Sequence, residues 1–237
     1  MLNNLSHVKV EIILPNYNSE AYLQETIESV VNQTFKNWRL TIVDGNSNIE
    51  TQKILNKYIR YKYINIIKLN KNKRAGFCRN YAIRNSKSDY IAFVDSDDIW
   101  GKEKLFKQIN FMEQNNYQFT YTNYQPFKSS KDFPVIKAEK YFNYEKFTKN
   151  TSIATSSMII KKSTIGNIKF SNTSICEDYF FKCQILKKVK YAYCLSENLM
   201  RYRIREDSLQ SNKMNFLKNL LSIFSISLNS IKKYGFK

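Results

Sequence analysis

Glycine and proline are scarce in this chain, five and three among 237 residues, which excludes collagenous and low-complexity classes. Histidine occurs once, at His7, and the four cysteines, Cys78, Cys176, Cys183 and Cys194, form no C-x-x-C pair. A Cys/His zinc set is excluded, and reduced thiols are the expected state. Long apolar runs are missing too. The first, Val8 to Leu14, is interrupted by Lys9 and Glu11, so no signal peptide is expected, and no stretch reaches the roughly 18 uninterrupted apolar residues of a membrane span. These absences lead to the expectation of a protein kept on the cytoplasmic side.

What is abundant is hydrophobic and basic. At 43% hydrophobic and 15% aromatic the chain can bury a substantial core, as one large domain or two small ones. The formal net charge is +18, from 38 basic and 20 acidic side chains. Residues 1–120 carry 17 basic against 12 acidic groups, whereas residues 121–237 carry 21 against 8. The second half is thus the candidate for meeting an anionic partner: nucleic acid, an anionic membrane leaflet or a phosphorylated substrate. An AT-rich genome, which enriches Lys, Asn and Ile, offers a second account of the same excess.

Hydrophobic periodicity organises the first 125 residues into alternating strands and helices. Strands are expected at Val8 to Leu14, Leu40 to Val43, Tyr63 to Leu69, Tyr90 to Val94 and Phe119 to Tyr124. Helices are expected at Ser19 to Val31, with Ser19 as N-cap, and at Ile49 to Arg60, Gly76 to Asn85 and Lys102 to Asn115. The rhythm predicts an α/β three-layer sandwich on a mostly parallel sheet, whose ligands bind where the carboxyl ends of the strands meet. Gln125 to Asn150 reads as a loop or small insertion, Ile153 to Ile160 as a strand and Asp178 to Lys188 as a helix. The working division is 1–125, 126–212 and a basic amphipathic helix over 213–237.

The strongest chemical signal is Asp95-Ser96-Asp97-Asp98, directly after the apolar strand Ile91 to Val94. Carboxylates so close repel one another, and a hard divalent ion, Mg²⁺ or Mn²⁺, is their natural partner. An acidic turn capping the following helix is the alternative. An EF-hand is excluded, because the twelfth loop position counted from Asp95 is Phe106.

Five segments then fall in a familiar order: Pro15-Asn16-Tyr17-Asn18, Val30-Val31-Asn32-Gln33-Thr34-Phe35, Val43-Asp44, Arg79-Asn80 and the acidic cluster. In order and spacing they resemble glycosyltransferase family 2, closely over residues 7–125 and more thinly through Glu177-Asp178 and Tyr202-Arg203. The resemblance implies a GT-A fold and inverting transfer of a sugar from a nucleotide diphosphate, with a UDP-hexose or UDP-N-acetylhexosamine as the first choice. The acceptor it implies is a lipid-linked or surface glycan, as in lipopolysaccharide, O-antigen or capsule.

The resemblance also implies roles. The Pro15 to Asn18 loop and Asp44 hold the nucleoside, Tyr17 being either an aromatic wall or a packing residue. Asp97 binds the metal, Asp95 the metal or ribose, Ser96 lies in the donor loop, and Asp98 stands behind them. Asp178 is the general base, although acids at a helix N-terminus also suit the macrodipole alone. Arg203 and Arg205 close over the diphosphate. Arg74 and Lys73 either touch the donor or are solvated charges, and Arg79 faces the site or supports it. The family usually has a second acid after the second strand, where this chain has Gly45, so Asp44 is expected to act alone. The tail from Lys213 to Lys237, with five lysines and no acid, is either a membrane-surface helix or a helix packed on the domain. Two other classes share part of this pattern. A haloacid-dehalogenase-like phosphatase shares Asp95-x-Asp97 but expects Gly and Thr after it, and a nucleic-acid or membrane-surface module explains the charge but not the carboxylates. No nucleic-acid-binding motif appears.

Overall fold

The computed structural model of the protein describes residues 5–173 and 176–205. The first half alternates strand and helix: β1 (Val10–Asn16), α1 (Leu23–Val31), β2 (Trp38–Asp44), α2 (Ile49–Asn56), β3 (Ile64–Lys68), α3 (Ala75–Asn85) and β4 (Tyr90–Phe93). Every residue of β1 and β4 is buried, which is why β4 reads as a continuous apolar run; the Glu11 that interrupts β1 accepts from the Thr41 hydroxyl at 2.6 Å. The second half comprises β5 (Ile99–Trp100), α4 (Lys104–Asn115), β6 (Phe119–Lys128), β7 (Lys131–Asp132), β8 (Tyr141–Phe142), α5 (Tyr144–Lys149), β9 (Ile159–Lys161), α6 (Lys162–Ile165), α7 (Glu177–Lys188) and β10 (Ala192–Arg203).

All strands share one sheet in the order β3-β2-β1-β4-β9-β6-β10-β5, with β7 beside β6 and β8 beside β10. The pairs β1/β2, β2/β3, β1/β4 and β6/β10 are parallel; β9 runs against both β4 and β6. Alternate residues of β1 feed two cores. Val10, Ile12 and Leu14 pack with α1, α2 and α4, while Ile13 packs with α3, α5 and α7 on the opposite face. The expected three-layer α/β sandwich on a mostly parallel sheet is therefore the observed one. Because β2 lies on one side of β1 and β4 on the other, the chain reverses direction across the sheet at β1. Sheets of this kind place their ligand crevice at that switch point, beyond the carboxyl ends of the strands.

Several local expectations are corrected. Ser19 does not cap α1: its hydroxyl donates to Asn16 Oδ1, and the helix begins four residues later, after a turn in which the Tyr22 and Leu23 N–H groups bond to Ser19 O. The helix of residues 49–60 ends at Asn56. Residues 125–150 hold regular structure: β6 continues to Lys128, β7 and β8 add to the sheet, and Asn143 caps α5 by accepting from Lys146 N at 2.9 Å. The strand expected over 153–160 is mostly a 3-10 turn, Thr155–Ser157, followed by the short β9. Arg203 is the last residue of β10, a 12-residue strand, and Arg205 follows it. The tail from Lys213 to Lys237 lies outside the described residues.

Candidate functional site

The crevice begins where β1 and β2 end. Gly45 N donates to Asn16 O at 2.8 Å, drawing the two loops together, and a Cβ on Gly45 would stand 3.2 Å from Lys73 O. The missing second acid thus coincides with a close backbone approach. Asp44 lies beneath the crevice, fully buried. One carboxylate oxygen accepts from Asn16 Nδ2 at 2.6 Å and the Ser47 hydroxyl at 2.5 Å; the other accepts from Ser47 N at 3.1 Å and Gln52 Nε2 at 2.6 Å. In this arrangement Asp44 organises the loops and is not open to direct ligand contact. Asn18, at φ 46°, joins the same network: its N–H donates to the Ser47 hydroxyl and its Oδ1 accepts from Asn48 N. Pro15 is buried within β1 beyond the last residue paired with β4, where its missing N–H is tolerated. Tyr17, just beyond the end of β1, is 46% exposed.

The acidic turn follows β4. Asp98 is buried, accepting from the Ser156 hydroxyl at 2.5 Å and from Arg203 N at 3.0 Å. Ser156 Oγ also accepts from Asp95 N at 3.0 Å, so one serine of the 3-10 turn fixes the geometry of the cluster. Asp97 pairs with Arg205 at 3.3 Å, and Arg203 Nε donates to Asp97 O at 2.8 Å. Arg203 also reaches Glu25 at 2.5 Å. Burial first, and then the charge of Asp95, push the Asp97 carboxyl upward, against the opposing pull of Arg205. Ser96 is half-buried in the turn.

Arg79 ties the acidic turn to the start of α7. It projects from the buried side of α3, with 5% side-chain exposure, and its two terminal nitrogens reach Asp95 at 2.5 Å and Glu177 at 3.1 Å. Gly76 permits the approach: a Cβ there would stand 3.0 Å from Glu177 Cγ. Next to Glu177, Asp178 Oδ2 accepts from Lys182 Nζ at 2.7 Å and from the Thr155 hydroxyl at 3.0 Å. Burial alone would raise Asp178, but Lys182, then Arg79 and Thr155, hold it well below the usual carboxylate range. Glu177 is moved the other way by burial, against the pull of Arg79. Neighbouring carboxyls thus have their affinities for protons pushed apart. Arg74 is exposed and donates to Asn172 O at 3.3 Å, at the rim rather than in the crevice.

Residues 11–180 match the family model described as Glycosyl transferase family 2. This chain belongs to that family. Over 242 aligned residues, 96% of each chain, it is 33% identical to the UDP-Glc:alpha-D-GlcNAc-diphosphoundecaprenol beta-1,3-glucosyltransferase WfaP of Escherichia coli. Its fold is that of S. aureus TarS 1-349 in complex with UDP-GlcNAc, with a TM-score of 0.74 at 22% identity over 85% of this chain and 60% of that one. The same fold recurs in the mannosyltransferase PcManGT from Pyrobaculum calidifontis, in complex with GDP-Man and Mn²⁺, with a TM-score of 0.72 at 11% identity over 94% of this chain and 65% of that one. The chain therefore spans about three fifths of the length of those two structures. As a family 2 glycosyltransferase it is an enzyme, and the phosphatase and charge-driven binding-module readings fall away.

The chemistry of the donor set suits the divalent ion that the family implies. Asp95 and Asp97 offer hard carboxylate oxygens, each beside an arginine, Arg79 and Arg205, and Asp97 keeps 21% of its side chain exposed. Among the described residues no group of three or more His, Cys, Asp or Glu side chains gathers to hold a metal. Two carboxylates suit ions that complete their shell with phosphate and water.

Sequence reasoning missed Thr155, Ser156, Glu25 and Lys182. Only Lys182 had a local signal, standing four residues after Asp178 on one helix; the others arrive through folding.

Proposed function

We propose that this glycosyltransferase moves a hexose or N-acetylhexosamine from its UDP donor to a hydroxyl of a diphosphoundecaprenol-linked saccharide, with inversion at the sugar carbon and dependence on Mn²⁺ or Mg²⁺. The observation that carries the reading is Arg79, whose guanidinium joins Asp95 of the acidic turn to Glu177, the neighbour of Asp178. Donor-side and acceptor-side carboxylates thereby line one crevice. Donor and acceptor classes are those named for the E. coli relative WfaP.

In this mechanism Tyr17 supplies the wall for the nucleobase, and the Asp44 network holds the loop that carries Tyr17. A divalent ion held by Asp95 and Asp97 would neutralise charge on the departing diphosphate. Arg203 and Arg205, anchored on the acidic turn before the donor arrives, offer guanidinium forks for phosphate oxygens. Asp178 accepts the proton of the acceptor hydroxyl as its oxygen attacks the sugar carbon. The site of action is the inner face of the cell membrane, with the basic tail as the proposed lipid contact. Among the described residues no helix is long and apolar enough to cross a membrane.

The test is transfer from UDP-sugars to a GlcNAc-diphospholipid with Mn²⁺ and with chelator. Expected outcomes are loss of transfer in chelator, recovery with Mn²⁺, and a fall of roughly a hundredfold or more in Asp97→Ala. Full turnover in chelator would overturn the metal assignment, and use of GDP-sugars alone would overturn the donor.

A further inference from the structure

Lys182 is a buried ammonium whose place the proposed reaction leaves unexplained. Its side chain is 4% exposed, and its Nζ donates to Asp178 Oδ2 at 2.7 Å and to Ile153 O at 2.8 Å. The two acceptors come from different segments, so the side chain is held at both sides. The Thr155 hydroxyl adds a second donor to the same Oδ2 at 3.0 Å. Asp178 itself is 36% exposed, and its Oδ1 has no partner among the described residues. One carboxylate oxygen is therefore committed to the protein and the other is left for a ligand.

We propose that Lys182 is a positioning residue for Asp178: by engaging Oδ2 together with Thr155, it leaves Oδ1 as the single oxygen presented to the acceptor hydroxyl. The inference rests on the reading of Asp178 as general base. In the transfer step the acceptor O–H proton passes to Oδ1. The oxygen's electron pair forms the bond to the sugar carbon, and the bond from that carbon to the diphosphate breaks with its pair leaving on the diphosphate. Lys182 keeps its protons throughout.

The charged and titratable surroundings support this division of labour. Lys182 and Glu177 face Asp178 from α7, and Arg79 faces it from α3. Cys176, just before α7, is pushed up by burial and then by Asp178 and Glu177, so it stays a neutral thiol. Lys182 is foremost among the groups that hold the Asp178 carboxyl down, ahead of Arg79. A carboxylate stabilised in this way is a weaker base. What it gains is a fixed direction and full ionisation across the working pH range.

The experiment is the pH profile of kcat/KM for Lys182→Met in the full-length enzyme, with UDP binding and thermal melting measured alongside. Loss of the ammonium should raise the acidic limb by at least about one pH unit and lower kcat more than about tenfold, with donor KM and UDP affinity within about twofold of wild type. Lys182→Arg, which keeps the charge, should restore part of kcat and the acidic limb. A Lys182→Met profile that superimposes on wild type would overturn the proposal. If that variant fails to melt cooperatively, Thr155→Val is read by the same criteria with a smaller shift, and an unchanged profile there overturns the proposal as well. Asp178→Asn separates the two layers: retained turnover sinks the base reading itself, whereas a dead Asp178→Asn beside a wild-type Lys182→Met profile sinks only the role of Lys182.

Discussion

Two regions of this molecule bury a lysine, and they do so in opposite settings. Lys182, at the crevice, meets a carboxylate, a main-chain carbonyl and an opening to solvent on the far side of its partner. Lys104, the first residue of α4, is fully buried without any salt-bridged carboxylate among the described residues. Its Nζ donates to Gln108 Oε1 at 2.9 Å and lies 4.2 Å from the centre of the Trp100 ring. Gln108 passes its own N–H groups to the Thr120 hydroxyl and Ser157 O. Burial alone brings the Lys104 ammonium down to about 7. The difference teaches how a buried charge can be read: beside the crevice it serves a carboxylate that a ligand can reach, whereas in the core it is a polar graft that costs stability.

The sharpest way to break this comparison is to remove the carboxylate. Asp178→Asn should lower kcat/KM by roughly a thousandfold, within the range of general-base catalysis, while UDP binding stays intact. Lys104→Met should change kcat/KM less than about threefold, and steady-state kinetics of the two variants side by side decide the matter. Equal losses in both would erase the distinction.

Next in size is Arg79→Met, which leaves Asp95 and Glu177 without their shared cation. Breaking a buried pair from one side should cost about 3 kcal/mol of stability and most of the activity, as read by denaturant unfolding and turnover. A variant as stable as wild type would mean that the bridge between the two ends is incidental.

The smallest effect concerns Lys104 alone. Its folded affinity for the proton lies below its unfolded one, so the unfolded state binds the extra proton between about pH 7 and the ordinary lysine value of 10.5. Stability from this group should therefore be lowest below pH 7 and rise with pH across that window, by up to about 1.4 kcal/mol per pH unit. The difference in unfolding free energy between Lys104→Met and wild type should shrink as pH rises from 7 to 9. A pH-independent difference would show that Lys104 is as fully protonated in the folded protein as in the unfolded chain, so that burial does not lower its affinity for the proton.

Legibility followed the range of the interactions. The first half was readable because β1 and β4 are buried on both faces and α1 and α4 keep their apolar spacing, so local pattern and final environment agree. Strand β10 escaped because its register with β6 slips twice, between Leu195 and Asn198 and again between Asn198 and Arg201, and polar residues fall in that stretch. The N-cap at Ser19 failed because a turn follows it and α1 begins only at Leu23, four residues on, with the Ser19 hydroxyl donating back to Asn16. Asp44 was expected in the donor contact; its burial depends on Ser47 and Gln52 closing over it, which no spacing announces.

By itself the sequence determined the α/β architecture, the acidic turn after β4 and the family, since periodicity and ordered motifs are properties of the chain read in line. Only the tertiary structure decided which carboxylates are open and which are committed: Asp44 and Asp98 are enclosed by hydrogen bonds, whereas Asp97 and Asp178 each keep an exposed side. The physical reason is that a carboxylate's role depends on the donors and cations that folding brings to it. Arg79, Ser156 and Arg205 reach theirs from 16 to 108 residues away.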